Sequence, residues 1–405
     1  MLFNIAWRNI WRSKLRSFVV IGAVIVGIWA LIFLMSFVEG MINSYIYNAI
    51  QYETSHIQLH HPKYKDDREI QFDIQNAPYA LELLGEHPDV LNVSQRLLIN
   101  GMLSTANGVR GAVVKAIDPA SEKGLTHMNE KVIEGDFFET ESKNPIVVSK
   151  TVAEKLKLKL RSKVVLNFQK VNGDLTAAAF RVVGIYKTSN RQTDELVSYT
   201  RLKDVQELTG MGAGRFHEIA MSVADLEFVD QVRDDLRNEL PGILVESYKE
   251  ISPDLELFNS QIKINMIIMT AIVMLALIFG IINTMLMAVL ERVRELGMLM
   301  AIGMNKIRVF KMIVLETILI SIIGTPIGLL LGYLTVSGLN KQGIDLSLWA
   351  KGLEKFGMSN VIRPTLQSDA YITIVVAIVV TAVIGSIYPS IKAIRLKPVE
   401  ALRKL

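Results

Sequence analysis

The sequence predicts a membrane protein with four transmembrane α-helices and a large α+β extracytoplasmic domain between the first and second. Three observations predict it. Apolar residues make up 50% of the 405-residue chain, and they gather in four runs long enough to cross a bilayer, which takes about 20 helical residues. Residues 41–265 hold no such run and instead alternate short strand-like and helical patterns. Basic residues sit beside the apolar runs, and the net charge is only +4, which points to membrane orientation and away from a nucleic-acid surface.

The first sixteen residues form an amphipathic pattern. Asn4, Arg8, Arg12 and Arg16 recur every four positions, with Phe3, Trp7, Ile10 and Trp11 on the other side. Such a helix suits the membrane interface, with tryptophans at headgroup level; the plainer alternative is an extension of the first span. The first apolar run, about Phe18–Val38, defines a span over 17–40. It is too long for a signal-peptide core and lacks a small-x-small cleavage site.

Within 41–265, strand-like runs occur at His56–Leu59, Val109–Ile117, Ile146–Val148, Lys163–Phe168 and Phe180–Tyr186. Asn107-Gly108 and Asn172-Gly173 mark turns, the second reading as a hairpin. Helical patterns intervene at Pro78–Leu84, Thr151–Leu158, Leu202–Leu208 and Phe228–Leu240, giving an α+β domain with room for two lobes. Ser252-Pro253 predicts a helix start. Leu255, Phe258, Ile262 and Met269 then share a face into the second span, so this segment and Glu39–Ile50 form two stalks, or merely two junctional helices.

The second span covers 266–290. A polar segment, 291–308, follows, in which Val293, Leu296, Met300 and Ile307 make an apolar ridge. A short amphipathic helix of this kind suits a groove on a soluble partner, or simply caps the membrane surface. The third span, 309–336, carries Gly324, Gly328 and Gly332 around Pro326, a stripe that allows close helix contact and a kink. Gly280 and Asn283 offer similar room on the second span. Glu316 is an acid inside an apolar run about two turns from the cytoplasmic end; it is either functional, or it snorkels to the interface or pairs with Lys311 or Arg308. A loop at 337–369, the fourth span at 370–388 and a basic tail at 389–405 complete the chain. The N-terminal segment, the 291–308 loop (Arg292, Arg294, Lys306, Arg308) and the tail (Lys392, Arg395, Lys397, Arg403, Lys404) all lie on one side, which the positive-inside rule makes cytoplasmic, with both termini there.

The search for chemistry returns little. No phosphate-binding Gly-x-x-x-x-Gly-Lys-Ser/Thr loop, Gly-x-Ser-x-Gly or His-Glu-x-x-His occurs, so no ATPase or hydrolase site is expected. Cysteine is absent, which excludes disulfides and thiolate ligands. His56, His60 and His61 lack an acidic or thiolate companion at metal-ligand spacing and read as surface or packing residues.

Three segments carry a family resemblance. The run Glu291-Arg292-Val293-Arg294-Glu295-Leu296-Gly297 through Ala301-Ile302-Gly303 resembles the cytoplasmic loop of the FtsX/MacB/LolC-LolE class of ABC-transporter permeases. The ending Tyr388-Pro389-Ser390…Ala393…Arg395-Leu396…Pro398-Val399-Glu400-Ala401-Leu402-Arg403 and the opening Ala6-Trp7-Arg8-Asn9-Ile10-Trp11-Arg12 are similar to it as well. Ile117-Asp118-Pro119, Val132-Ile133-Glu134-Gly135 and Val147-Val148-Ser149-Lys150 look like its periplasmic module. The resemblance implies a non-enzymatic permease subunit in the inner membrane that works by mechanotransmission. It implies a dimer, with a second copy or a paralogue, and two separate ATP-binding subunits that hold ATP and Mg. By carry-over, Glu291, Arg292, Arg294, Glu295, Leu296, Gly297, Met300 and Gly303 belong to the ATPase-coupling helix. Where the family often has glycines after the Ala-x-x-Leu helix, this chain has Lys157 and Arg161, which puts that turn's shape in question. Ser55-His56-Ile57-Gln58-Leu59-His60-His61-Pro62 looks closest to the LolC/LolE branch. That branch implies lipoprotein cargo, contact with lipids, and a periplasmic acceptor; a MacB-like efflux permease and an FtsX-like relay to a cell-wall hydrolase are the alternatives.

Overall fold

Four long helices carry the apolar runs: Lys14–Ala49, Pro253–Glu291, Lys306–Gln342 and Ser368–Ile394. The computed structural model describes residues 2–12 and 14–395. The part of the basic tail and ending motif in 396–405 lies outside the described residues, as does the side chain of Arg16. The first three helices have 36, 39 and 37 residues. At about 1.5 Å per residue each is far longer than a bilayer core is thick, so each predicted span is the middle of a longer helix. Pro326 lies inside the third helix, which continues through it.

The chain forms two units. One holds the spans: residues up to 42, 259–345, and from 361 onward; the other holds residues 43–258 with 346–360.

In the span unit, Ala6 and Ile10 of the N-terminal helix (Leu2–Arg12) are buried in a core with Ile281, Met285, Val309 and Met312. This revises the two-sided reading of that helix. Ile10 does not share the tryptophan face; Trp7 and Trp11 stay 40% exposed while Ile10 is fully enclosed. The helix thus has a packed edge, an aromatic edge and a basic edge. Gly280 meets nothing within 4 Å of a built Cβ, so it gives no close contact here. Gly385 of the fourth helix does, because a Cβ there would lie 3.0 Å from Ile281.

The large domain is built on one ten-stranded sheet. Its strands are β1 (Ile57–His60), β2 (Val90–Thr105), β3 (Gly108–Ile117), β4 (Val132–Gly135) and β5 (Pro145–Ser149), followed by β6 (Lys163–Gln169), β7 (Leu175–Tyr186), β8 (Val197–Arg201), β9 (Glu218–Val223) and β10 (Leu244–Ser247). The order is β10-β1-β9-β2-β3-β8-β5-β7-β4, with β6 bridging β2 and β7. Two apolar cores lie along this sheet, one around Leu97, Val114, Leu166 and Phe180 and the other around Ile57, Leu84, Ile219 and Val232. Strand β2 joins them: Val90–Arg96 pair with β9, and Arg96–Thr105 with β3. The two-lobe expectation therefore becomes two cores on one shared sheet.

Several turns place residues other than glycine at positive φ, and one of them follows a helix. The β2–β3 connection is tight, with Thr105 opposite Gly108. The β6–β7 hairpin closes from Gln169 to Leu175 around Gly173 at φ +88°. After the helix Lys150–Leu156, Lys157 (φ 52°) and Arg161 (φ 67°) occupy the left-handed region, which is unfavourable for a residue with a Cβ. Lys157 N–H reaches Ala153 O and Glu154 O, and Arg161 N–H donates to Val182 O at 2.7 Å. The glycine-type turn forms here without glycine.

The residues beyond the first and second spans belong to the domain unit. The rings of Tyr45 and Phe258 meet at 4.6 Å, and Leu255 is buried in the second core. The loop between the third and fourth spans also contributes: Asn48 Nδ2 donates to Gly357 O at 2.8 Å, and Ser359 N donates to Ser44 Oγ at 3.1 Å.

Candidate functional site

The polar segment after the second span folds as a single helix, Val293–Ala301. It starts because Arg292 (φ −100°, ψ 16°) leaves helical geometry after Glu291. It stops at Gly303, whose φ of +104° favours glycine. Gly303 N–H donates to Met300 O, and Met304 N–H to Leu299 O, satisfying carbonyls that a helix end leaves open. Asn305 Oδ1 then accepts from Ile307 N at 3.1 Å and caps the third long helix.

Two arginines brace this loop helix against the N-terminal helix. Arg292 Nη1 donates to Glu316 Oε1 at 3.1 Å, and its Nη2 to Asn9 O at 2.9 Å. Arg12 donates to both carboxylate oxygens of Glu295, at 3.0 and 2.6 Å. The first pair is largely buried; the second is exposed and worth at most about 1 kcal/mol. Glu316 therefore pairs with Arg292, not with Lys311 or Arg308 on its own helix. Placing an acid and its partner together in the apolar core reduces the cost of burying either. An open cavity of about 430 Å³ lies between these helices, with Asn9, Met285, Leu296 and Leu299 in its wall and the exposed Met298 and Ile302 also lining it.

The residues singled out from sequence divide by depth. Leu296 and Gly297 are buried inward, and Met300 packs beside them. Glu291 and Arg294 are exposed, Gly303 forms the exposed turn, and Arg292 and Glu295 make the braces. The expected apolar ridge does not exist as one surface. Leu296 faces the protein core, and Ile307, 60% exposed, belongs to the first turn of the next helix. The surface turned outward instead carries Arg294, Met298, Ala301 and Ile302, with Ile302 80% exposed. Sequence reading passed over Met298 and Ile302, although two large apolar side chains left outside a buried Leu296 are the signal of a second apolar edge.

On the third long helix, Gly324, Gly328 and Gly332 face the first. A Cβ at Gly328 would lie 2.8 Å from Ile28 Cβ and 3.1 Å from Ile25 O, and one at Gly332 would lie 2.6 Å from Ile32. Small residues at this spacing let the two helix backbones approach closely. Trp29 Nε1 donates to Thr335 Oγ1 at 3.0 Å and ties the same two helices together.

The large domain holds a second polar centre, which sequence reading missed. Arg96 of β2 is 2% exposed and donates to Glu122 (Nη2–Oε1 2.7 Å) and to Glu218 (Nη1–Oε1 2.6 Å). Ser94 Oγ adds 2.7 Å to Glu122. Burial pushes the Glu122 and Glu218 carboxyls up, but the adjacent guanidinium outweighs it and holds both below the ordinary carboxylate value. The histidines found in sequence border this centre. His60 Nε2 lies 3.3 Å from Glu218 Oε2 and stacks on Tyr64, which also stacks on His217. His56 Nδ1 accepts from Val223 N–H, and His61 stacks on Phe72. Among the described residues no group of histidines and acids has metal-site geometry.

Comparison with known proteins bears on the whole chain. Residues 17–239 match the model of the MacB-like periplasmic core domain, and residues 267–398 match that of the FtsX-like permease C-terminal region. The chain is 29% identical over 240 residues to the ABC transporter permease YtrF of Bacillus subtilis, covering 57% of this chain and 54% of that protein. It is 24% identical to the pyoverdine export ATP-binding/permease protein PvdT of Pseudomonas syringae, covering 98% of this chain and 58% of that one. It is 19% identical to the lipoprotein-releasing system transmembrane protein LolE of Haemophilus influenzae, covering 79% of each. The chain spans about half the length of several of the curated relatives it matches.

Proposed function

The chain belongs to the family of FtsX-like permeases with a MacB-like periplasmic core domain, and from that premise we propose that it is the permease subunit of an ABC transporter whose ATP and Mg sit on separate ATP-binding subunits. The observation that carries this reading is the outward edge of the loop helix. Met298 and Ile302 are apolar and exposed on a segment too polar to be a span, and the Arg292 and Arg12 braces hold that edge as a firm surface. Such an edge suits insertion into a groove on a soluble partner. Movement of the partner would pass through the buried Leu296 and the Arg292–Glu316 pair into the spans. Both termini then lie in the cytoplasm and the protein in the inner membrane, paired with a second copy or a paralogue.

For cargo, lipoprotein release to a periplasmic acceptor is the favoured reading, supported by the Ser55–Pro62 segment and by likeness to LolE over most of the chain. Export of a small molecule or peptide is the second, supported by the near-complete coverage by PvdT.

Co-expression with a candidate ATP-binding subunit from the same genome tests the docking edge. Met298→Asp with Ile302→Asp should cut co-purification at least tenfold while the permease still folds, because neither side chain is in the core. Unchanged co-purification would remove the loop helix from the docking role. ATP-dependent release of a lipoprotein from proteoliposomes separates the two cargo readings.

A further inference from the structure

Docking and span packing leave unused a cavity of about 420 Å³ in the large domain, a volume typical of small-molecule sites. Its wall includes Glu53 and Thr54, which follow the first long helix, and Ile251 and Ser252, which precede the second. Lys115 of β3 lines it with nine-tenths of its surface buried. The acids nearest in kind are already engaged: Glu218 with Arg96 and His60, and Glu246 with Lys65. The Lys115 ammonium makes no hydrogen bond or close ion pair among the described residues. Burial and the nearby Arg96 pull its pKa below the ordinary lysine value, against the opposing pull of the Glu218, Glu122 and Glu53 carboxylates, none of which it hydrogen-bonds.

Glu53 supplies the opposite need. One of its oxygens accepts from Asn190 Nδ2 at 2.6 Å, and the other has no such partner among the described residues. The wall also holds Lys65, Arg68 and His60. With Glu218 and Glu246 engaged by Arg96, His60 and Lys65, Lys115 and Glu53 remain as one charge of each sign without an ion-pair partner among the described residues, and a ligand with one charge of each sign is matched.

We propose that this cavity binds a small zwitterion, its carboxylate on Lys115 and its amine toward Glu53, which is the chemistry of an amino acid or a short peptide. Its place gives the site consequence. Thr54 ends a π-helical turn, Ile50–Thr54, and Ser55 follows at φ 55°, ψ −172°, a conformation close to glycine-only. A ligand here touches Glu53 and Thr54, the last two residues of that turn, next to the strained Ser55.

The full-length protein in detergent tests this. Lys115 acylation by a small amine-blocking ester is followed by mass spectrometry with Ala-Ala, alanine, glutarate or cadaverine present at millimolar concentration; cadaverine is added after separate correction for its consumption of reagent. One of the two zwitterions should slow acylation of Lys115 about tenfold relative to the other lysines, as for a site some nine-tenths occupied. Glutarate and cadaverine should not, and Glu53→Gln should lose most of the protection. Failure of Lys115 to react, protection by glutarate equal to that by the zwitterions, or no protection at all would overturn the proposal. The free amino acid and the peptide are separated by which of the two protects.

Discussion

Arg96 sits where water does not reach, between two glutamates that depend on it. Because both carboxyls are held below their ordinary value of 4.5 in the folded domain, their contribution to stability is complete above that value and is lost as pH falls through the depressed folded values. Acidification from neutrality to pH 5 should therefore leave this centre intact, and further acidification below about 4.5 should weaken it progressively. Hydrogen exchange at the amides of β2 and β9 reads this locally in two steps. Protection should first fall below about pH 6.5, because burial holds His56 and His217, which accept from Val223 and Leu98 N–H, below the ordinary histidine value. It should fall again below about 4.5 as the two glutamates protonate. A second prediction at this scale concerns Ser55. Its backbone strain costs on the order of 1–3 kcal/mol, so Ser55→Gly should raise the thermal midpoint of the purified protein. The loss of its weak 3.5 Å contact from Arg96 is too small to offset that gain. Residues of this kind are poorly legible in sequence. Arg96, Glu122 and Glu218 are far apart in the chain, and an arginine in a strand normally signals the solvent face; pairing of β2 with β9 brings Glu218 to Arg96, and the helix Pro119–Thr126 brings Glu122. Lys157 and Arg161 adopt glycine-like geometry for the same reason, since the hydrogen bonds around them outweigh local preference.

At the scale of elements, periodicity and apolar length located what they could. Each predicted span lies inside a helix; four of the five predicted strand runs fall wholly in strands, and the fifth, His56–Leu59, starts one residue before β1. The missed strands have identifiable causes. Strand β2 contains Asn92, Ser94, Gln95, Arg96 and Asn100, which breaks the alternation a half-buried strand should show, because the strand lies between neighbours on both edges and Ser94 and Arg96 are buried and paired with glutamates. Strand β9 is buried along nearly its whole length, so it has no exposed face to alternate. The glycine stripe is the element whose spacing carried the most packing information. Gly328→Leu would drive a side chain into Ile28 and the Ile25 carbonyl, and overpacking of this kind costs about 1–3 kcal/mol. The expected result is a lower thermal midpoint and a shift in the fluorescence of Trp29, whose indole N–H donates to Thr335 across the same two helices. Gly280→Leu, which meets open space, should leave both unchanged.

For the whole molecule, orientation is the decisive question, and the absence of native cysteine makes it simple to test. Single cysteines at Lys157, in the large domain, and at Ala301, in the loop helix, should react oppositely. The first should take up an impermeant maleimide from outside intact cells; the second should react only after permeabilisation. Reversal of that pattern would invert the topology and remove the docking surface from the cytoplasm. By itself, the sequence determined the number and order of the spans, the position of the large domain and the family, because apolar length, charge beside each run and short contiguous motifs are local properties. It also marked the loop after the second span. Only tertiary structure decided which face of that loop is available. The N-terminal helix and the third long helix approach from remote parts of the chain, enclose Leu296, and recruit Arg292 to Glu316, leaving Met298 and Ile302 outside. The amphipathic pattern names two possible edges of a nine-residue helix, and burial of one against distant neighbours selects the other.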